Sequence, residues 1–259
     1  MALILQQLSG RPYHAHVPER LSGEAATQFA SFHADFAALD RRLAAVAPLE
    51  ATQFRSVLAD ALSSAGLFDC SEETHQAATS CLFRAAQQVA ADPTGTPKSL
   101  KAANALLCQS VGKGIVRTGP MWVGAAHPAD AWYVAPPAAH VHALLRDLFR
   151  FTNDRKWPLT LRACVAMQQL LDIHPFSDGN GRTARALLLG MLVQRWGLQQ
   201  GFVSALAGFW AERGLRRHAA TYQIRASGDW SAFLQMSLAL GWGCRLAPTA
   251  TKECNTGQR

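Results

Sequence analysis

Apolar side chains recur every three or four positions along most of this chain, so helices dominate its reading. Phe29, Phe32, Phe36, Leu39, Leu43 and Val46 form one amphipathic stripe, with Ser22 as its N-cap and Pro48 just beyond its end. A second helix is expected to about Leu62, ahead of Gly66, and a third from Ser71, a cap followed by Glu72 and Glu73. Asp92-Pro-Thr-Gly-Thr-Pro97 then reads as a turn or hinge. Thr160 to Ile173 places Leu161, Cys164, Val165, Leu170, Leu171 and Ile173 at helical spacing, with Pro158 suited to a first turn. That helix should stop near Ile173, because His174 precedes a proline and is biased away from the α region. Ala186 to Val193 is apolar on every side, which predicts a helix opening near Arg182 and buried through the middle of the domain.

Two further helices are expected over Gly214 to Ala226 and Asp229 to Trp242, split by Ser227-Gly228 and with Asp229 capping the second. Met121-Trp122-Val123 and Trp132-Tyr133-Val134 break the pattern: they are β-prone runs separated by Gly124, Pro128 and small residues, and they read as a hairpin. The fold class is all-α with one small β-hairpin.

The chemistry concentrates in His174-Pro-Phe-Ser-Asp-Gly-Asn-Gly-Arg-Thr-Ala-Arg185, a loop between two helices. The helix that follows points its N-terminus into the loop, where free N–H groups and the positive dipole end suit a phosphate. Gly179 and Gly181 let the backbone take positive φ and approach an anion closely. Arg182 and Arg185, three apart, can face the same anion, and Asp178 inside this cationic nest is explained by Mg²⁺ carried in with phosphates. An isolated Asp-Gly-Asn-Gly would more often be a turn or a calcium loop. The calcium alternative fails because Phe176 and Leu187 stand where acids are required if Gly181 is the loop glycine.

His174 through Arg185 resembles the signature of the Fic (Fic/Doc) family, His-Pro-Phe-x-[Asp/Glu]-Gly-Asn-Gly-Arg-x-x-Arg, at every defined position. The resemblance extends from about Ser99 to Leu240. Leu100–Leu107, Val116-Arg117 to Gly124 and Tyr133–Pro137 are similar to the helix, the "flap" hairpin and the proline turn that precede the signature. Residues 1 to 97 carry no such likeness.

The resemblance implies a Fic-like helical bundle with the flap beside the active-site loop, and protein adenylyltransferase (AMPylation) chemistry: AMP passes from ATP to a Ser, Thr or Tyr hydroxyl of a target protein and pyrophosphate leaves. His174 would be the general base, an assignment that suits an imidazole. Asp178 would hold Mg²⁺. Gly179, Asn180 and Gly181 would cradle the phosphates from the backbone and the Asn180 amide, which places Asn180 with His174 and Arg182 among the catalytic residues; Arg182 would neutralise charge on the transferring and leaving groups, and Arg185 would reach the terminal phosphate. Phe176 would pack to pin the loop, and Arg117 would be structural. The flap would hold the target by strand addition. Trp122, Trp132 and Tyr133 would either grip target or base, or anchor the hairpin to the core. UMP or phosphocholine transfer, AMP removal and a non-catalytic interaction module are the alternatives, and the intact His174 and Asp178 speak against the last.

The family's inhibitory pattern, [Ser/Thr]-x-x-x-Glu-[Gly/Asn], has no full match. Thr249-Ala-Thr-Lys-Glu253 has the spacing, but Cys254 follows the Glu. Otherwise inhibition comes from a separate, antitoxin-like protein or is absent.

At 259 residues and 49% hydrophobic the chain can bury a substantial core. It divides into an N-terminal helical extension (1–97) packed on the core, a catalytic core (98–245) and a polar tail (246–259). A net charge of +7 favours an anionic nucleotide and an acidic target. The arginines are scattered and no nucleic-acid signature is present, so no nucleic-acid partner is expected. Six cysteines without Cys-x-x-Cys or zinc spacing, Cys108 and Cys164 among them in apolar helices, read as reduced core residues of a cytoplasmic protein. No membrane span or signal peptide is expected, although delivery into a host cell by a specialised machine would leave the same sequence.

Overall fold

The computed structural model describes residues 21, 24–45, 72–92, 96–108, 113–131, 133–196 and 215–241. Ser22, Val46, Pro48, the second helix to Leu62, Ser71, Trp132 and the tail with Thr249–Glu253 lie outside the described residues.

Two helices run through the middle of the molecule. One is α6 (Leu159–Ile173) and the other α7 (Asn180–Trp196), and the candidate loop connects them. Along α7, Ala184, Ala186, Leu187, Leu188, Leu189, Met191 and Leu192 are all buried, as the all-round apolar pattern predicts. The helix α3 (Glu72–Ala90) crosses α7 closely at Gly190, where a Cβ would meet the Val89 Cβ at 2.6 Å. Only glycine admits that approach. Two more helices complete this layer: α4 (Pro97–Leu107) packs on α3 and α7, and α5 (Ala138–Asn153) packs on α6.

The N-terminal stripe forms two helices rather than one, α1 (Glu24–Ser31) and α2 (His33–Ala44). Phe32 interrupts them with φ −101° and ψ 0°, its N–H bonded to the Phe29 carbonyl at 3.2 Å. This tight turn leaves Phe32 half-buried while Phe29 and Phe36 are both fully enclosed. Phe29 meets Phe151 at 5.3 Å and, edge to face, Trp157 at 5.9 Å and Trp230 at 5.7 Å. One aromatic knot therefore joins the N-terminal pair to the ends of α5 and α6 and to the C-terminal segment.

The start of α6 is capped from another element. Pro158 has no side chain able to accept, and the Asp40 carboxylate of α2 takes the Leu159 N–H at 2.6 Å, the Thr160 N–H at 3.0 Å and the Thr160 hydroxyl at 2.7 Å.

The hairpin consists of β1 (Trp122–Val123) and β2 (Tyr133–Val134), antiparallel with Trp122 opposite Val134 and Val123 opposite Tyr133. At the C-terminal end, α8 (Leu215–Ser227) is followed by α9 (Ser231–Met236), which continues as a π-helical turn over Ser237–Gly241. Asp229, expected as the cap, stands one residue before it: the cap position is Trp230, and the Asp229 carboxylate accepts the Ser231 N–H at 2.9 Å from just outside the helix. Mostly helical with one two-stranded sheet, the described fold is the class expected. No helix among the described residues is long and apolar enough to cross a membrane.

Candidate active site

His174 caps α6. Its N–H still bonds the Leu170 carbonyl at 3.0 Å, but its backbone turns left-handed, with φ 49° and ψ 59°. Among the described residues no other non-glycine has positive φ. The following proline disfavours the α region, and the surrounding contacts hold the less populated alternative. The imidazole Nδ1 lies 3.2 Å from the Leu171 carbonyl oxygen. A carbonyl only accepts, so Nδ1 carries the proton and the lone pair is on Nε2. Burial lowers the imidazole pKa from its ordinary 6.5. The nearby Arg117 and Arg225 act in the same direction, while the Leu171 carbonyl and Asp172 oppose it. His174 is thereby held neutral, the form that accepts a proton.

The loop after His174 is braced on both sides. Val116 and Phe176 form an antiparallel bridge, and the Arg117 N–H bonds the Pro175 carbonyl at 2.9 Å. The Arg117 guanidinium donates to the carbonyls of His174 (2.7 Å), Ile173 (3.2 Å), Gly119 (2.9 Å) and Pro136 (2.5 Å). This is a structural role, and the five-donor fork of arginine is what makes it possible. Phe176 is buried in the core.

Asn180, the first residue of α7, is 3% exposed. Its amide donates to the Phe176 carbonyl at 2.8 Å and accepts from the Phe176 N–H at 3.0 Å, so the side chain closes the loop as a peptide group would. The helix opens here, two residues before the expected Arg182, because Thr183 completes a first turn to the Gly179 carbonyl through both its N–H (2.8 Å) and its hydroxyl (2.9 Å).

The two glycines differ. Gly179 has φ +75°, and a Cβ on it would lie 2.0 Å from the Cys108 sulfur. Gly181 is helical rather than positive in φ, contrary to the expectation, and a Cβ there would meet nothing within 4 Å. It contributes open space over the helix N-terminus. Asp178 accepts the Gly179 N–H at 2.6 Å and pairs with Arg182 at 3.2 Å, their side chains 48% and 39% exposed. Arg182 also donates to the Leu107 carbonyl at 2.7 Å, tying the loop to the end of α4. Arg185 lies one turn further along α7 and is partly buried.

Beneath the loop lies a brace that the motif does not announce. Asn104 of α4 donates to the Asp178 carbonyl and the Thr183 hydroxyl, both at 3.0 Å, and accepts the Gly114 N–H at 2.8 Å. Cys108 ends α4 rather than lying within it, and its thiol approaches the Asp178 carbonyl at 3.4 Å. Burial raises the thiol pKa, with Arg182 opposing.

On the flap side, Tyr133 is buried, its ring centroid 6.5 Å from that of His174. Trp122 is half-buried and donates to the Ala125 carbonyl at 3.1 Å, within its own hairpin.

Residues 95–192 match the sequence model described as the Fic/DOC family. Protein adenylyltransferase fic-1 of Caenorhabditis elegans is 39% identical over 88 residues, and its counterpart in Caenorhabditis briggsae is 39% identical over 84. Each match spans 32% of this chain and only 16% of the relative's length. Among solved structures, a Fic family protein from Desulfovibrio desulfuricans G20 superposes with a TM-score of 0.52 at 17% identity, over 92% of this chain and 70% of that one. A fragment of Fic-1 from C. elegans gives 0.54 at 18% identity, over 84% and 70%. At these identities the structural likeness speaks for the fold alone. The segment containing α4, the hairpin, α5, α6, the loop and most of α7 thus carries the match to the Fic/DOC family, and the fold around it is one that Fic proteins share.

Proposed function

We propose that this domain is a protein adenylyltransferase, which transfers AMP from ATP to a Ser, Thr or Tyr hydroxyl of a target protein and releases pyrophosphate. The observation that carries this reading is the pairing of a neutral imidazole with an open helix N-terminus at the two ends of one loop. His174 has its Nδ1 proton turned to Leu171, which leaves Nε2 to accept the hydroxyl proton as the oxygen attacks the α-phosphorus. The first turn of α7 offers N–H groups and a positive dipole end, with clear space over Gly181 for the phosphate chain. Arg182, half-exposed beside it, stabilises charge as the bond to pyrophosphate breaks. Arg185 extends the same helix face towards a terminal phosphate.

Contrary to the expectation that its amide cradles phosphate, Asn180 spends both ends of that amide on Phe176, so in this reading it shapes the loop through its side chain and serves phosphate through its backbone. Asp178 fits Mg²⁺: its carboxylate is half-exposed beside the phosphate position, and Mg²⁺ is held by one or two carboxylates together with substrate phosphates and water. Such an ion supplies charge neutralisation across the phosphates when bound. The target segment docks along the edge of the hairpin. The partial identity to fic-1 adenylyltransferases supports the same chemistry. An AMP adduct on a Ser, Thr or Tyr of a protein in cell lysate, seen by mass spectrometry after incubation with Mg²⁺ and ATP, tests it. A phosphate adduct in its place would refute it.

A further inference from the structure

Behind His174 lies a buried polar group that neither the loop nor the flap accounts for. Asp172, two residues before the base and 5% exposed, accepts the Arg225 Nε–H at 2.7 Å and the Gln168 amide at 3.1 and 3.0 Å. Its backbone carbonyl accepts the Tyr133 hydroxyl. The Arg225 guanidinium lies 4.3 Å over the Tyr133 ring, and the same ring neighbours the imidazole. Three elements distant in sequence therefore converge on the last turn of α6: β2 through Tyr133, α8 through Arg225, and α6 itself through Asp172 and Gln168.

A buried ion pair is weak evidence of stabilisation, because desolvating both charges offsets most of their attraction. This one also sits where His174 leaves the helix in a left-handed conformation, which persists only when its surroundings over-determine it. We propose that Asp172, Arg225 and Tyr133 form a positioning unit that fixes the orientation of the His174 imidazole and sets the charge around it. The hydroxyl of Tyr133 and the guanidinium of Arg225 clamp the terminal turn of α6 against β2, and the Tyr133 ring stands beside the imidazole that this turn carries.

The groups facing the imidazole are Arg117 from the segment before the hairpin, Arg225 from α8, Asp172 from α6 and the Leu171 carbonyl. Arg225 and Asp172 act on it with opposite sign, so removing either one has a distinguishable consequence. Asp172→Asn deletes the anion and leaves both arginines, which pushes the imidazole pKa further down. Arg225→Gln deletes a cation and pushes it up. A role in packing alone moves neither.

The test uses the full chain with ¹³C-labelled histidine, the His174 resonance being assigned by its loss in His174→Ala. NMR titration of wild type, Asp172→Asn, Arg225→Gln, Arg225→Lys and Tyr133→Phe is compared with AMP transfer and with affinity for a non-hydrolysable ATP analogue. The role in transfer rests on the adenylyltransferase reading, whereas the titration does not need it, so failure of one is separable from failure of the other. The expected result is opposite displacement of the His174 titration in Asp172→Asn and Arg225→Gln, with partial return in Arg225→Lys. Turnover should fall about tenfold to a hundredfold in the first two, the scale of a misplaced catalytic group, while analogue affinity holds. Tyr133→Phe, which removes one hydroxyl from an otherwise unchanged ring, keeps the test open if the charge variants do not fold: it should lower turnover without lowering analogue affinity. A His174 titration unmoved in the folded charge variants, or a Tyr133→Phe enzyme with wild-type turnover, would overturn the proposal.

Discussion

Gly179 and Cys108 are in contact so close that a single methyl group on the glycine would lie 2.0 Å from the sulfur. The floor of the loop is thus the end of α4, and the left-handed backbone at Gly179, φ +75°, turns the chain over it. Gly179→Ala meets two penalties, about 1–2 kcal/mol for an L-residue in that conformation and about 1–3 kcal/mol for overpacking against Cys108. The double variant Cys108→Ala/Gly179→Ala removes the second and keeps the first. Urea denaturation of the two single variants and the double should therefore be non-additive, with the double more stable than Gly179→Ala alone.

Asn180 holds both polar groups of Phe176, and its substitution by alanine leaves a buried N–H and a buried carbonyl without that partner. The expected loss is about 2–6 kcal/mol, taking about 1–3 for each orphaned group. Asn180→Asp should be at least as harmful, since a carboxylate cannot donate to the Phe176 carbonyl. Transfer activity should fall with stability in both, read by turnover beside thermal melting. A fully active Asn180→Ala would mean that the loop keeps its shape without this brace.

Asp40 makes the complementary case. It caps α6 at the end remote from His174, about 20 Å away along a helix of this length. Asp40→Ala should lower stability by about 1–2 kcal/mol, as loss of a good N-cap does, and leave turnover in folded enzyme unchanged. A changed turnover at equal stability would show that the two ends of α6 are coupled.

How much of this was legible in the chain depends on sequence separation. The twelve residues from His174 to Arg185 are contiguous, so a base, an acid, two glycines and two arginines could be read together, and Pro175 marked where the helix had to end. The hairpin was visible in two short β-prone runs. The turn at Phe32 was not, because a stripe with alternating spacings of three and four fits a straight helix as well as one bent to bury Phe29 and Phe36. The different duties of Gly179 and Gly181 were equally hidden: both can adopt positive φ, and only the contact with Cys108 shows which one must. Asn104 and Cys108 act across 70 or more positions, as does Asp40 on α6, and Arg225 reaches Asp172 across 53. No local periodicity encodes such pairs, and a buried polar residue on an otherwise apolar helix face, as at Asn104 and Asp172, was the one available signal.

If His174 is the base of the proposed transfer, its protonation sets the pH dependence. Burial first, then Arg117 and Arg225, lower its pKa below 6.5, so the imidazole stays neutral and competent as a base across neutral pH. The acid limb of kcat/KM against pH, which reports the free enzyme, should accordingly fall below the ordinary histidine range. The linked effect on stability has the same sign. The unfolded chain binds this proton more readily than the folded one, so the contribution is complete above 6.5 and is lost as pH falls through the folded value. A limb centred above 6.5 would contradict the environment described for this imidazole.

The most direct measurement of the central claim incubates the full chain with Mg²⁺, cell lysate and ATP labelled at either the α or the γ position, with His174→Ala in parallel. Label on protein from the α position alone, reduced about 10²-fold or more in the variant as loss of a general base requires, is the result predicted. Label from the γ position alone, or a His174→Ala enzyme that labels at the wild-type rate, would contradict AMP transfer driven by this histidine.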